Sequence, residues 1–289
     1  MRLLVLVVGA GGQLGEAMVD GLGAGHEVIS RTRADLDVTD AAAVRQQIAA
    51  MCPDAIVNCS AYTNVDAAED DPRAALAVNA WAPRAMARAA AEVDATLVHF
   101  STDFVFDGET SCPYTEDDTP NPRGVYAMSK LLGEWFAAEP ARHYVLRVES
   151  LFGGRRAKSS IDAIADGIRA GRPVRAFVDR VVSPSFVDDV VAVTRTLLDR
   201  RPAPGIYHCV NSGHATWVDV AREIATLANR PDAAIDPVRM ADAKLKAPRP
   251  LFAALSNDKL RAAGITLPSW RDALSRYYRM RSGAATAEV

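Results

Sequence analysis

The sequence predicts an α/β fold: a Rossmann-type doubly wound parallel sheet with a smaller C-terminal substrate-binding lobe. Three observations lead there. Short apolar runs alternate with helical stretches through the first half of the chain. A glycine-rich turn, "GAGGQLG", follows the first of those runs. After about residue 150 the alternation loosens, and Pro and Gly interrupt it more often.

The runs at 3–8, 26–29, 55–58, 96–100 and 144–148 are short, rich in branched residues and bounded by turn formers, so they read as strands. Between them, 13–22, 41–51, 72–92 and 126–139 are Ala- and Leu-rich with helical spacing. Asp40 and Asp71 stand where helix N-caps belong, the second followed by Pro72 at the first helical position. Strand–helix alternation gives βαβ units, hence a parallel sheet covered on both faces. Later, 161–169, 187–198 and 217–227 read as helices, and "APRPLFAALSNDKL" as a loop entering a short helix. The tail "RSGAATAEV" has little to bury and is expected to fray. Residues 1–150 are expected to form a dinucleotide-binding domain, with 173–203 returning to it. Residues 151–289 are expected to form mainly a substrate-binding lobe over the sheet's carboxyl edge, where open α/β folds bind ligands.

Composition sets the class. The chain has 289 residues, 49% of them hydrophobic, enough for a large core. A net charge of −3 with dispersed positive residues gives no electrostatic footprint for nucleic acid. The apolar run at 3–8 is far short of the roughly 18 residues a membrane span needs. Cys52, Cys59, Cys112 and Cys209 show no C-x-x-C spacing and read as buried free thiols, which implies a reducing cytoplasm. The five histidines are scattered, so no metal is expected.

Gly9, Gly12 and Gly15 lie between a strand and a helix, the context in which a glycine turn lets backbone amides approach a pyrophosphate at a helix N-terminus. A carboxylate at the end of the second strand would hold an unphosphorylated ribose. Here Ser30 is followed by Arg31, Thr32 and Arg33, and a guanidinium suits a 2′-phosphate. The reading favours NADPH and leaves NADH possible; the alternative is that these arginines are solvated loop charges.

Tyr126 and Lys130 are four residues apart and share a helix face. The strand before them ends near Ser101 and Thr102, at the edge that also carries the glycine turn. Reducing a ketone needs a hydride at carbon and a proton at oxygen. A free phenol has a pKa of about 10, and a nearby ammonium would lower it. Tyr126 would be the general acid, Thr102 would orient the carbonyl oxygen, and Lys130 would tune the phenol and hold the nicotinamide ribose. The plain alternative is that Tyr126 packs and Lys130 snorkels.

These residues resemble the extended short-chain dehydrogenase/reductases, and within them the dTDP-4-dehydrorhamnose reductase family. The similarity runs through "GAGGQLG", "ADLDVTD", "PDAIVNCSAYTNVDAAEDDPRAALAVNA", "STDFVFDG", "YAMSKLLGE" and "RPLFAALSNDKL". It implies that Gly9, Gly12, Gln13 and Leu14 hold the pyrophosphate and that Asp37 and Val38 flank the adenine. Ser60, Ala61 and Tyr62 would line the path to the nicotinamide ribose, and Thr102, Tyr126 and Lys130 would be the catalytic group. Val65, Asp103, Phe104 and Arg249 match positions at the sugar nucleotide. Plain structural roles stand beside these: Asp103 as a turn cap, Phe104 as core, Arg249 as a solvated charge.

The implied activity is NADPH-dependent reduction of the 4-keto group of a nucleotide-linked 6-deoxy sugar, in a cytoplasmic monomer or homodimer that touches neither membrane nor nucleic acid. The sequence departs from the family in two places. "LRVESLFGG" carries Glu149 and Leu151 where the family has threonine and an aromatic residue. "DRVVSPSFVDDVV" places Arg180 and valines where polar and glycine residues are usual. Two other readings stay open: an epimerase or dehydratase that retains NAD, and a non-catalytic NADP-binding subunit resembling the regulatory subunit of methionine adenosyltransferase. Dehydratase relatives carry Asp-Glu after the threonine, and this chain has Asp103-Phe104.

Overall fold

The structure, a computed structural model, describes residues 1–156 and 158–286. Its first half runs β1 (Leu4–Val8), α1 (Gln13–Gly23), β2 (Glu27–Arg31), α2 (Ala41–Met51), β3 (Ala55–Asn58) and the short α3 (Val65–Ala68). One long helical stretch follows: α4 (Pro72–Leu76), a π turn (Ala77–Trp81) and α5 (Ala82–Glu92). Then come β4 (Thr96–Thr102), α6 (Val125–Ala137) and β5 (His143–Val148). The second half adds β6 (Leu151–Phe152), α7 (Ser160–Arg169), β7 (Val174–Phe177), β8 (Val181–Val182), β9 (Ser185–Phe186), α8 (Val187–Arg200) and β10 (Gly205–His208). It closes with β11 (Ala215–Thr216), α9 (Trp217–Leu227), β12 (Ile235–Val238), α10 (Asp258–Ala262) and α11 (Trp270–Thr286).

Six strands form one parallel sheet in the order β10-β5-β4-β3-β1-β2. The order reverses beside β1, which opens the crevice where such sheets take ligands. Helices cover both faces, as the strand patterns require: β3 and β4 are buried along their whole length. On one face Met18 and Leu22 of α1 pack with Val190 and Leu197 of α8. On the other, Val44 and Ile48 of α2 pack with Met86 and Ala90 of α5. Thus α8 and β10, although late in the chain, belong to the large sheet. A separate core joins α7, α9 and α11 around Phe152, Ile164, Phe186, Ile224 and Trp270. This is the smaller lobe.

Local chemistry fixes the element ends. The Asp40 carboxylate accepts from Ala42 and Ala43 N–H and starts α2, and Asp71 accepts from Ala74 N–H and starts α4. Ser159 and Thr216 make capping boxes with Asp162 and Asp219 at α7 and α9. The unbroken helix expected over 72–92 contains the π turn, whose Asn79 side chain bonds both backbone groups of Tyr62. Widening the helix there turns a buried polar side chain toward the loop after β3.

Two expectations are corrected. Of the four cysteines, Cys209 is buried and Cys59 half-buried, but Cys52 and Cys112 are exposed. Cys52 is the left-handed C-cap of α2 (φ 43°), which puts it at the helix end rather than in the core. The tail expected to fray instead continues α11 to Thr286; its last three residues lie outside the described ones. No described helix is long and apolar enough to cross a membrane.

Helix α6 lies so close to the π turn that a Cβ on Gly133 would sit 2.1 Å from the Asn79 carbonyl oxygen. Backbone cannot yield as a flexible side chain would. Gly133→Ala is therefore expected to destabilise the protein by about 1–3 kcal/mol through overpacking, measured by urea or thermal unfolding. An unchanged midpoint would show that α6 can slide away from the turn.

Candidate active site

The carboxyl ends of β1, β3, β4 and β5 open on one crevice, because parallel strands all exit the sheet on the same side. At the end of β1 the backbone of Gly9 takes φ +78°, and a Cβ there would lie 2.6 Å from Ser60 N. The exits of β1 and β3 thus touch backbone to backbone, which only glycine allows at that point. Helix α1 starts at Gly12 with no side-chain cap on its first amides. These free N–H groups at the positive end of a helix dipole fit a diphosphate. Gln13 reaches across to donate to the Gly153 carbonyl at 2.8 Å, and the Leu14 side chain is buried, so its amide alone faces the turn.

At the end of β2, Arg31 is half-buried. Its guanidinium donates to Gln47 Oε1 and the Ser30 carbonyl and lies on Met51 Sδ. Arg33, two residues on, is exposed. Asp37 accepts from the backbone and hydroxyl of Thr39, and these bonds hold its carboxyl below the usual range; Val38 is half-buried beside it. After β3, the Ser60 hydroxyl donates to Asn58 Oδ1 at 2.6 Å, Ala61 is exposed, and Tyr62 is fastened by Asn79.

Strand β4 delivers Thr102, whose hydroxyl donates to Asp103 Oδ1 at 2.9 Å and caps the following turn by accepting from Phe104 N–H. The same hydroxyl bonds the Tyr126 phenol, on the first turn of α6. One helical turn later, the buried Lys130 donates from Nζ to the Phe100 carbonyl at 2.5 Å. Thr102, Tyr126 and Lys130 therefore stand together at one sheet edge, drawn from β4 and α6.

Lys130 does not acidify the phenol as expected. Its ammonium is turned onto the β4 backbone and senses Glu134 and Cys59. The Tyr126 phenol is pushed up to about 12, first by burial and then by the Asp103 carboxylate, with only the Thr102 bond opposing. Lys130 itself is brought down to about 8 by burial. Near neutral pH the phenol keeps its proton and most of the ammonium its charge.

Around this group lie the residues matched to the sugar side. Asp103 is buried and raised to about 6 by burial, against the pull of Arg180. Phe104 is half-buried, its ring edge-on to Tyr126 at 5.5 Å and faced by the guanidinium groups of Arg180 at 5.5 Å and Arg249 at 5.9 Å. Arg249 is no solvated charge: its side chain is 11% exposed, pairs with Asp66 at 3.1 Å and donates to the Ala247 carbonyl. Val65 opens α3 just before that aspartate.

The sequence reading missed Asn79, which ties Tyr62 to Ser129 on α6; its signal is one amide in the Ala-rich "AALAVNA". It also assigned no role to Glu149, which is 2% exposed and accepts from Ser183 N–H at 2.6 Å. Among the described residues, no group of three or more His, Cys, Asp or Glu is placed to hold a metal ion.

A parallel α/β sheet with a glycine turn at its first exit, and a hydroxyl, a phenol and an ammonium at its fourth, defines a Rossmann-type protein of the short-chain dehydrogenase/reductase class. The pattern of the RmlD substrate binding domain matches residues 1–282, and the chain belongs to that family. It is 35% identical to the dTDP-4-dehydrorhamnose reductase of Mycolicibacterium smegmatis, over 99% of this chain and 88% of that protein. It is 36% identical to a probable dTDP-4,6-dihydroxy-2-methyloxan-3-one 4-ketoreductase of Streptomyces antibioticus, over 93% and 92%. The dTDP-4-dehydrorhamnose reductase of Bacillus anthracis, solved in complex with NADP, superposes with a TM-score of 0.92 at 29% identity. That match covers 97% of this chain and all of the other.

The lowered Lys130 has a consequence for stability. Between about 8 and 10.5 the unfolded chain holds a proton that the folded chain has released, so stability rises with pH across that window. Below about 8 the full cost of burying the ammonium is present. Without cofactor, Lys130→Met is expected to be more stable than the parent at pH 7 by on the order of 1–3 kcal/mol, a lead that shrinks on going to pH 10. Unfolding curves at the two pH values measure it; a variant less stable at pH 7 would mean that the bond to Phe100 outweighs desolvation.

Proposed function

We propose that this protein is an NADPH-dependent reductase of the 4-keto group of a nucleotide-linked 6-deoxy sugar, converting dTDP-4-dehydro-β-L-rhamnose to dTDP-β-L-rhamnose. The observation that carries the reading is the meeting of Thr102, Tyr126 and Lys130 beside the uncapped start of α1. Full-length relatives named for this reaction support it, as does the neighbour solved with NADP. NADPH, when bound, supplies the hydride that the ketone carbon needs.

The remaining chemistry belongs to the chain. The turn of Gly9 and Gly12, with the amides of Gln13 and Leu14, takes the diphosphate; Asp37 and Val38 border the adenine; Ser60, Ala61 and Tyr62 border the nicotinamide ribose, with Lys130 at hand for its hydroxyls. Arg31 and Arg33 form the basic end of β2 toward a 2′-phosphate. Tyr126 is a protonated phenol at neutral pH and delivers its proton to the carbonyl oxygen as hydride reaches carbon; solvent then restores it. The Thr102 hydroxyl orients the same oxygen. Val65, Asp103, Phe104 and Arg249 face the sugar nucleotide. Residues 1–150, joined by part of 173–203, make up the dinucleotide side, and 151–289 mainly the substrate side. Its four unpaired thiols suit a reducing cytoplasm.

Tyr126→Phe keeps the ring and removes the proton. It is expected to lower kcat by about 10²–10⁴-fold, followed as loss of NADPH absorbance with the keto sugar, while NADPH affinity stays within about twofold. Normal turnover by the phenylalanine variant would remove Tyr126 as the acid. Replacing Arg31 and Arg33 together by Ala is expected to cut the preference for NADPH over NADH by about tenfold or more in kcat/KM. An unchanged ratio would show that neither guanidinium meets the 2′-phosphate.

A further inference from the structure

Three buried polar atoms beside Tyr126 have no partner in the protein: Asp103 Oδ2, Glu149 Oε1 and Arg180 Nε. They come from three separate segments: the exit of β4, the exit of β5, and the loop between β7 and β8. Asp103 and Glu149 are 3% and 2% exposed. Leaving a buried polar atom unpaired costs about 1–3 kcal/mol, so three in one corner mark a place that a ligand completes.

The three are electrostatically one set. The Asp103 carboxylate raises Glu149, and Arg180 lies in the field of both. Burial raises both carboxyls, and the guanidinium opposes that rise at each. Each is anchored on its other oxygen, Glu149 by Ser183 N–H at 2.6 Å and Asp103 by the Thr102 hydroxyl at 2.9 Å. The free oxygens are thereby fixed in direction. After Glu149 the chain turns through Ser150 in a left-handed conformation (φ 44°), so the anchor is held at some cost in backbone strain.

Two carboxyl oxygens next to one N–H donor match neighbouring hydroxyls, each of which donates and accepts. They repel a phosphate or a carboxylate. The corner adjoins the reacting centre: Phe104 links Arg180 to Tyr126, and Asp103 acts directly on the phenol. The relatives matched above are named for sugars with different ring substitution, so family membership leaves this choice open.

We propose that Glu149, Asp103 and Arg180 form a subsite for the vicinal diol of the hexose next to its reacting carbonyl, and that Glu149 is the specificity-determining residue. This rests on the nucleotide-sugar reading above. The test is calorimetric binding to the NADP⁺-loaded protein of dTDP-β-L-rhamnose, its 2-deoxy and 3-deoxy analogues, and dTDP alone. The parent is expected to bind the rhamnose compound about tenfold more tightly than either deoxy analogue. Glu149→Gln keeps the shape and an acceptor for Ser183, and Glu149→Thr removes both carboxyl oxygens. In both, the preference for the diol is expected to fall to less than about threefold, with dTDP binding unchanged. A general packing defect would weaken all three sugars alike.

Equal binding of the three sugars by the parent would overturn the subsite whether or not the variants fold. So would an undiminished preference in folded Glu149 variants. Reduction of the keto sugar in a parallel NADPH assay without any diol preference removes the subsite and leaves the reductase reading. Diol preference that depends on Glu149, without turnover, removes the reductase reading and leaves the subsite.

Discussion

A parallel strand buried on both faces can release its polar groups only at its carboxyl end, and β4 is such a strand. Every residue of Thr96–Thr102 is buried. Inside the sheet it carries apolar side chains and His99, which meets the Asn58 amide at 3.1 Å. At the exit, Thr102, Asp103 and Phe104 appear in immediate succession, and the whole site is arranged around them. Helix α6 brings Tyr126 to the Thr102 hydroxyl and Lys130 to the Phe100 carbonyl. The register of α6 against β4 is held in turn by the close passage of Gly133 under the π turn. Moving the exit of β4 by one residue would swap the face of each group.

The electrostatics of the site follow from that burial. An isolated buried charge is costly, and the protein offsets the cost with neighbours that leave one role each. Lys130 is buried against Glu134 and a carbonyl, and Arg147 answers Glu134 with two bonds of 2.8 Å. Asp103 raises the buried Glu149, and Arg180 answers both. Burial first, and the Asp103 charge second, keep the phenol protonated, so the acid is not made more acidic by a cation.

Much of this was legible in the sequence, and the rest was hidden for identifiable reasons. The five first-half strands and their helices lie within about two residues of where branched runs and caps put them, because a doubly covered sheet writes its burial into continuous apolar stretches. The π turn left no mark, since Ala and Val suit either helical hydrogen-bond pattern. Strand β10 is four residues, "GIYH", too short to stand out from a loop. Helix α11, "WRDALSRYYRMRSGAAT", drew no assignment because charged residues interrupt its apolar ones, yet Trp270, Leu274 and Tyr277 are buried on it. In the site, Tyr126 and Lys130 announce themselves by their spacing and context. Where the ammonium points is decided thirty residues earlier in the chain, at Phe100. Glu149 was read only as one of several departures, because the groups around it come from distant segments, and convergence of that kind has no local pattern.

The seam between the two halves of the chain runs past the glycine turn. Gln13 is bonded to Gly153, and the arginines just beyond it, Arg155 and Arg156, pair with Asp20 and Glu16 on α1. These ion pairs are largely exposed, so water and dissolved ions compete with them. The phosphate cradle and the smaller lobe are consequently laced together by ties that loosen in strong electrolyte.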